Sequence, residues 1–424
     1  VTAIAFDPFD DTQRDDPYPA YAELRRRSPV TRIEKSGAFA VARYRDVAFV
    51  LRHPELFSSI AMQTMMSSGL GPALASGLPA GDGARVAELL ERLPISLPEA
   101  LAAPLLIASD PPRHGPMRSL VNRGFTPRRI AQLEPRVRAI ARETLAALEG
   151  KPDFDIVSEL FVPLPVTVIA ELLGVEPERS ADFKRWSDHV VAGVTGGAGA
   201  VGPVQVLEAL AELSQYLTGV IERRRREPRD DLISTLIRAG EGETALTPGQ
   251  VVMFTLLLLV AGNETTTNLL GNTLLALFDH PDELARVQRD SRRIPALVEE
   301  GLRYDGPVQF VFRQATQDVE LGGVTIPAGA TVIPLLGSAN RDDAAFPDGD
   351  RFDVSRDTQG HLAFGLGIHF CLGASLARLE ARVALEELLP RLPRLERAQA
   401  RVEYIDSYLV RGPKRLPLRV APAR

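Results

Sequence analysis

The chain has 424 residues, 45% of them hydrophobic, and a formal net charge of −6; this excludes a disordered chain and leaves ample material for a large core. With 49 Lys plus Arg against 55 Asp plus Glu, it offers no general attraction to nucleic acid or anionic lipid. A single cysteine, Cys371, excludes an internal disulfide and suits a reducing compartment.

In chain order, Val1-Thr2-Ala3-Ile4-Ala5-Phe6-Asp7-Pro8 lacks the basic and apolar regions of a secretory signal, so cytoplasmic residence is expected. Phe39–Val41 reads as a strand. The stretch from Ser58 to Ala108 is rich in Gly, Pro, Ser and Met and has no period, which predicts a mobile loop and a candidate lid over a ligand site. Within Asp110-Pro111-Pro112-Arg113-His114-Gly115-Pro116-Met117-Arg118, an imidazole and a guanidinium stand four apart, on one face if the segment is helical.

Arg128–Leu148 and Pro203–Arg226 space apolar residues three and four apart, as one buried helical face requires. Between them, Gly193 to Gly202 holds five glycines in ten positions and predicts a second mobile loop. Gly197-Ala198-Gly199-Ala200-Val201-Gly202 satisfies the dinucleotide fingerprint, with Glu222 further on, but Glu222 sits in a helical pattern where the fingerprint needs a strand. It is read as a decoy. The four arginines Arg223 to Arg226 complement a helix C-terminus and are expected to face water.

Val251 to Gly262 is apolar but shorter than the roughly 18 residues of a membrane span, and Thr255 interrupts it, so a buried core helix is predicted. Ala261-Gly262-Asn263-Glu264-Thr265-Thr266 then places a carboxylate and hydroxyls inside that helix, where they are costly unless partnered. A helix kink made by threonine hydroxyls would account for part of this. Glu300-Gly301-Leu302-Arg303 sets opposite charges three apart on a helix. Val319–Leu321, Val324–Ile326 and Thr331–Leu335 are strand-like segments between Gly and Pro punctuation.

Phe364-Gly365-Leu366-Gly367-Ile368-His369-Phe370-Cys371-Leu372-Gly373 surrounds the sole thiol with glycines that permit a tight turn and close approach to a planar group. The helical pattern of Ser375–Leu392 follows, putting Cys371 just before a helix N-terminus, whose partial positive charge favours a thiolate. An inert buried cysteine is the bland alternative. A nucleophile with His369 as its base is disfavoured, because residues two apart do not face each other on a strand or a helix.

These motifs resemble the cytochrome P450 family over nearly the whole chain, from Asp16-Pro17-Tyr18 to Arg411-Gly412-Pro413-Lys414-Arg415-Leu416-Pro417. The cysteine loop matches every fixed position of Phe-Gly-x-Gly-x-His-x-Cys-x-Gly. The resemblance implies a single domain, residues 1–424, mainly α with a small β-sheet, in the triangular-prism fold with haem buried between a long central helix and the cysteine loop. It implies haem b as cofactor, Cys371 as the iron ligand, and a thiolate that favours O–O cleavage. Phe364, Gly365, His369 and Gly373 join Cys371 around the haem. Ala261 and Gly262 leave room for dioxygen, and Glu264 and Thr265 match the acid and alcohol that deliver protons. His114, Arg118, Arg313 and His369 would partner the propionates. The Glu300–Arg303 pair is implied to be buried and joined by Arg351 as a structural lock.

The implied activity is insertion of one oxygen atom from O2 into a hydrophobic fatty acid, terpenoid or polyketide-type compound. Met62–Met66, Leu257–Ala261, Val308–Val311 and Tyr408–Val410 would line the pocket. No flavin or nicotinamide motif stands up in the chain, so a ferredoxin and its reductase are the expected electron donors, docking near Arg123 and Arg378, and a monomer is expected. A haem-thiolate binder or gas sensor without turnover, and a peroxide-driven peroxygenase, are the alternatives; a sensor has no use for the proton relay of Glu264 and Thr265.

Overall fold

The computed structural model describes residues 6–65, 83–93, 105–195, 202–239 and 248–421. Its contacts divide the chain into two compact units, each discontinuous in sequence: Val1–Ala61, Ile130–Leu164 and Thr265–Arg424 form one, Met62–Arg129 and Pro165–Glu264 the other. Helices dominate the described residues, with short strands in small sheets.

The first unit holds the sheets. Val30–Arg32 pairs antiparallel with Phe39–Val41, which pairs parallel with Thr331–Pro334; Arg313–Ala315 and Phe57–Ser58 complete five strands. Val319–Leu321 and Val324–Ile326 form a separate hairpin, closed by Gly322-Gly323. The sheet packs on the helix Tyr44–Arg52, whose buried Val47, Val50 and Leu51 meet Phe39, Phe57, Val332 and Ile326 in one apolar cluster. Each such side chain contributes about 1.5–3 kcal/mol on burial.

The helix pattern predicted over Arg128–Leu148 is two helices, Pro127–Gln132 and Glu134–Ala146. Pro135 stands in the first turn of the second, where its missing N–H costs nothing, and its ring bars a continuous helix from running through. The second helix packs on Ala374–Leu388, and charges lace their exposed edges: Arg138 reaches Glu134, Glu386 and Glu387, and Arg382 reaches Glu134 and Glu386.

In the second unit, Ser180–Thr195, Pro203–Arg226 and Leu232–Ala239 are helices. The stretch from Ser58 to Ala108 is not the featureless loop its composition predicts. Residues 60–65 are helical, and Gly83–Glu91 is a helix that buries Val86 and Leu89 against Leu207 and Ala211; its remaining residues 66–82 and 94–104 lie outside the described ones. Of the glycine-rich loop, 196–201 lie outside too, whereas residues 193–195 close a helix and Gly202 caps the next. Glu222 is helical, as the decoy reading required.

The four arginines are not uniformly solvated. Arg224 is buried, paired with Asp231, and donates to the Gly174 carbonyl at 3.0 Å; Arg223 pairs with Glu176 at 2.9 Å. A helix face turns by 100° per residue, so four consecutive arginines cannot all point to water.

Candidate active site

The helix Pro248–Asp279 runs 32 residues, well beyond the predicted apolar core, and ends where His280-Pro281 follows. Among the described residues no helix is long and apolar enough to cross a membrane. Along it, Leu257, Ala261, Glu264 and Thr265 are partly or fully accessible while Leu256, Leu259, Asn263 and Thr266 are buried. These four fall at i, i+4, i+7 and i+8 on one side of the helix, and Leu258, Val260 and Gly262 beside them are also not buried. Small side chains and a carboxyl thus share a single face.

Burial pushes the Glu264 carboxyl up to about 7, although the residue as a whole is only partly enclosed. Buried Asn263 on another face donates from Nδ2 to the Ser187 hydroxyl at 3.2 Å. Thr267 donates to the Phe161 carbonyl at 2.8 Å. Thr266 hydrogen-bonds Glu380, a carboxyl that burial pushes up to about 8 against the pull of that bond. Glu380 went unnoticed in the sequence: a lone glutamate in a charged helical run carries no motif, and only its spacing among the buried Leu376, Ala381 and Ala384 could have marked it.

The cysteine loop folds back on itself through Gly365 N–H to Leu362 O at 2.8 Å, Phe370 N–H to Gly367 O at 3.1 Å and Cys371 N–H to Phe364 O at 2.9 Å. Gly365 and Gly367 take φ of 70° and 74°, the left-handed region that favours glycine. A Cβ at Gly367 would stand 2.7 Å from the Leu51 carbonyl, so this turn is also pressed against its neighbour. Cys371 is exposed beside the exposed ring of Phe370, three residues before Ala374, the first residue of the helix Ala374–Leu388.

A flat macrocycle ligated by sulfur fits these features. The thiol and ring present themselves outward from a loop otherwise tied inward, and a Cβ added at Gly373 would meet no heavy atom within 4 Å. His114 is buried in the first turn of the helix His114–Asn122, its imidazole lowered by burial and by Arg118 one turn on. The predicted His114–Arg118 pair therefore shares a face. Arg118 also donates to Asn122 at 3.1 Å. Arg313 is buried and donates to the Phe312 carbonyl at 2.8 Å. His369 Nε2 lies 2.8 Å from the Ser59 hydroxyl.

Glu300 and Arg303 form a fully buried pair, bonded at 2.7 and 2.8 Å. The expected third member is corrected: Arg351 has an exposed side chain and contributes only its carbonyl, which accepts from Arg303 at 3.0 Å, while Arg356 brings its guanidinium 3.6 Å from Glu300. The intervening chain is irregular, so no periodicity could tell which arginine turns inward. Carbonyls of Asn340 and Gly349 also accept from Arg303, and the Asp353 N–H donates to Glu300.

Of the predicted pocket segments, Val308 and Val410 form an antiparallel bridge and Phe310 pairs with Leu335. Residues 62–65 are helical with Met62 buried, and Met66 lies outside the described residues. Arg378 is held by Glu299 at 2.6 and 2.9 Å and lies over the Phe364 ring; Arg123 is exposed.

The family model described as Cytochrome P450 matches residues 205–416. Cytochrome P450 monooxygenase PikC of Streptomyces venezuelae is 39% identical over 95% of this chain and 91% of its own. Among solved structures, cytochrome P450 CYP109Q5 from Chondromyces apiculatus shares 48% identity over 99% of this chain and 98% of its own, with a TM-score of 0.82. CYP109E1 from Bacillus megaterium in complex with corticosterone shares 36% identity over 97% of this chain and 100% of its own, with a TM-score of 0.81.

Proposed function

Because this chain belongs to the cytochrome P450 family, its activity is monooxygenation of hydrophobic compounds at a haem-thiolate centre, and we propose that Cys371 supplies the thiolate and that the cofactor is haem b. The observation that carries the assignment is an exposed thiol on a glycine-turned loop, just before the N-terminus of the helix Ala374–Leu388. Peptide N–H groups at that terminus stabilise a sulfur anion.

When bound, the haem supplies the dioxygen-activating and redox chemistry. Glu264 holds a proton near neutrality and can release it, as a general acid must. Thr265, beside it on the accessible face, has a hydroxyl that both donates and accepts. Thr266 and Glu380 are buried away from that accessible face, so their pair is left out of this role. The protons of Glu264 and Thr265 suit reduction of dioxygen better than a peroxide-driven route or a sensor.

His114, Arg118, Arg313 and His369 are the proposed partners of the haem propionates, the two arginines through paired N–H donors. Phe364, Gly365 and Gly373 would contact the cysteine face, Ala261 and Gly262 the opposite one. The proposed substrate is an apolar fatty acid, terpenoid or polyketide-type compound, consistent with the corticosterone bound by CYP109E1 and with the apolar Leu257–Ala261 and Val308–Val311. Electrons are proposed to come from a ferredoxin and its reductase.

Reduction of the holoprotein under carbon monoxide tests the assignment. A red-shifted Soret band is expected for the native chain and its loss for Cys371→His; a native chain without that band, or one retained in the variant, overturns it. Extraction and mass analysis of the pigment identifies haem b.

A further inference from the structure

The C-terminal end of the helix Pro248–Asp279 and the end of Ile294–Tyr304 border a cavity of about 510 Å3. All its lining residues belong to the first unit, and none comes from the cysteine loop or from Ala261 to Thr266. The volume is that of a small-molecule site, usually roughly 300–1,000 Å3, but the wall is polar. Five carboxylates, those of Asp15, Asp16, Asp279, Asp305 and Asp350, stand against two guanidiniums, those of Arg341 and Arg411.

Both guanidiniums of this wall are engaged with the protein itself. Arg341 donates to the Tyr304 carbonyl at 2.7 Å and lies over the rings of Tyr18 and Tyr304, at 3.4 and 3.9 Å from their centroids. Arg411 donates to Asp305 at 3.0 Å and to the carbonyls of Arg14 and Asp15, and covers Tyr404 at 3.8 Å. The Tyr18 hydroxyl donates to Asp305.

Asp305 is taken by Arg411 and Tyr18, and Asp279 accepts from Arg397 at 2.8 Å, but other acceptors of the wall keep capacity. Asn272 is 1% exposed, and its Nδ2 donates to the carbonyls of Asp305 and Arg411 at 2.8 and 3.0 Å. Two carbonyls fix the orientation of the amide, since only its NH2 can serve both. Oδ1 is thereby buried at the cavity wall without a hydrogen-bond partner among the described residues. His280 Nδ1 lies 2.8 Å from the Ala276 carbonyl, which can only accept, so Nδ1 is the donor and Nε2 is the ring nitrogen that this bond leaves over. Asp16 accepts the Tyr18 backbone N–H at 3.3 Å.

We propose that this cavity binds a small organic cation rich in N–H donors, an ammonium or guanidinium compound, whose hydrogens are accepted by Asn272 Oδ1 and His280 Nε2 in the field of the surrounding carboxylates. An anion would be repelled by five carboxylates that outnumber the two guanidiniums. A metal ion is the poorer fit, because no group of three or more His, Cys, Asp or Glu side chains among the described residues could hold one.

Calorimetric titration of the holoprotein with agmatine and putrescine tests this, with choline as a cation lacking N–H donors, and magnesium chloride and sodium acetate as the metal and anion arms. Saturable binding of agmatine or putrescine is expected, weakening as salt rises, with choline, magnesium and acetate silent. The double substitution Asp15→Asn, Asp16→Asn should weaken binding roughly fivefold and leave the optical spectrum of the haem unchanged. Asn272→Leu should abolish it; if that variant does not fold, the aspartate variant decides. No saturable binding of either amine, equal binding of choline, affinity undiminished in the aspartate variant, or binding of magnesium or acetate in place of the amines overturns the proposal.

Discussion

The hydroxyl of Thr266 is hydrogen-bonded to the carboxyl of Glu380, and burial outweighs that bond so that the carboxyl is pushed up to about 8. A glutamate that keeps its proton in the folded chain but loses it near 4.5 when unfolded makes stability fall as pH rises between those two values.

Glu380→Gln should therefore match the native chain in stability below pH 4.5 and gain on it progressively, reaching a full advantage of a few kcal/mol above pH 8. Denaturant titration across that range checks it. A constant gap between the two proteins would remove the buried proton from the account.

Glu264 makes a different pH prediction. Because its proton is lost as pH passes about 7, kcat should fall on the alkaline side, and Glu264→Gln should flatten that limb while lowering kcat by about a hundredfold or more. Thr265→Ala should leave electron consumption running and shift its yield from product to hydrogen peroxide. Measured coupling equal to the native value would clear Thr265 of the role.

The buried charge cluster separates two arginines that look alike in sequence. Arg356→Ala removes a guanidinium standing near a fully buried carboxylate and should cost more stability than Arg351→Ala, which should stay within about 0.5 kcal/mol because its side chain is exposed. Arg303→Ala should be the worst of the three, costing about 3–5 kcal/mol by leaving Glu300 uncompensated. Thermal melting of the set ranks them.

Arg123 and Arg378, each proposed to contact the redox partner, differ in the same way. Arg123→Glu should raise the apparent KM for ferredoxin without altering the melting temperature, since Arg123 is exposed. Arg378→Glu should raise the KM too, but also lower the melting temperature, because burial would raise Glu299 and it is the bonds from His361 and Arg378 that hold its carboxyl down at about 2. The acid stability that Glu299 contributes, lost as pH falls from 4.5 toward 2, should shrink in that variant. Unchanged steady-state kinetics in both variants would remove both arginines from the proposal.

Sequence spacing was most informative where chemistry demands a fixed order of residue types. The glycine turn of the cysteine loop and the strands Phe39–Val41 and Val319–Leu321 could be read in advance, because glycine turns and alternating burial leave marks within a few residues. What could not be read depends on partners distant in the chain. Arg351 and Arg356 are equivalent until the irregular segment between them is folded, and Glu380 looks like any helical glutamate until Thr266 arrives beside it. The helix Gly83–Glu91 was hidden because its apolar stripe is short and its flanks are rich in glycine and proline.

The bridge between Val308 and Val410 joins two stretches that evolution can alter separately but that the backbone holds as one wall. Grafting either stretch alone from a relative would set a foreign half against a native half, and ladder mismatch would blur the outcome. On the proposal that these segments line the substrate pocket, engineering of selectivity should exchange the two together, treating them as one inheritable cassette.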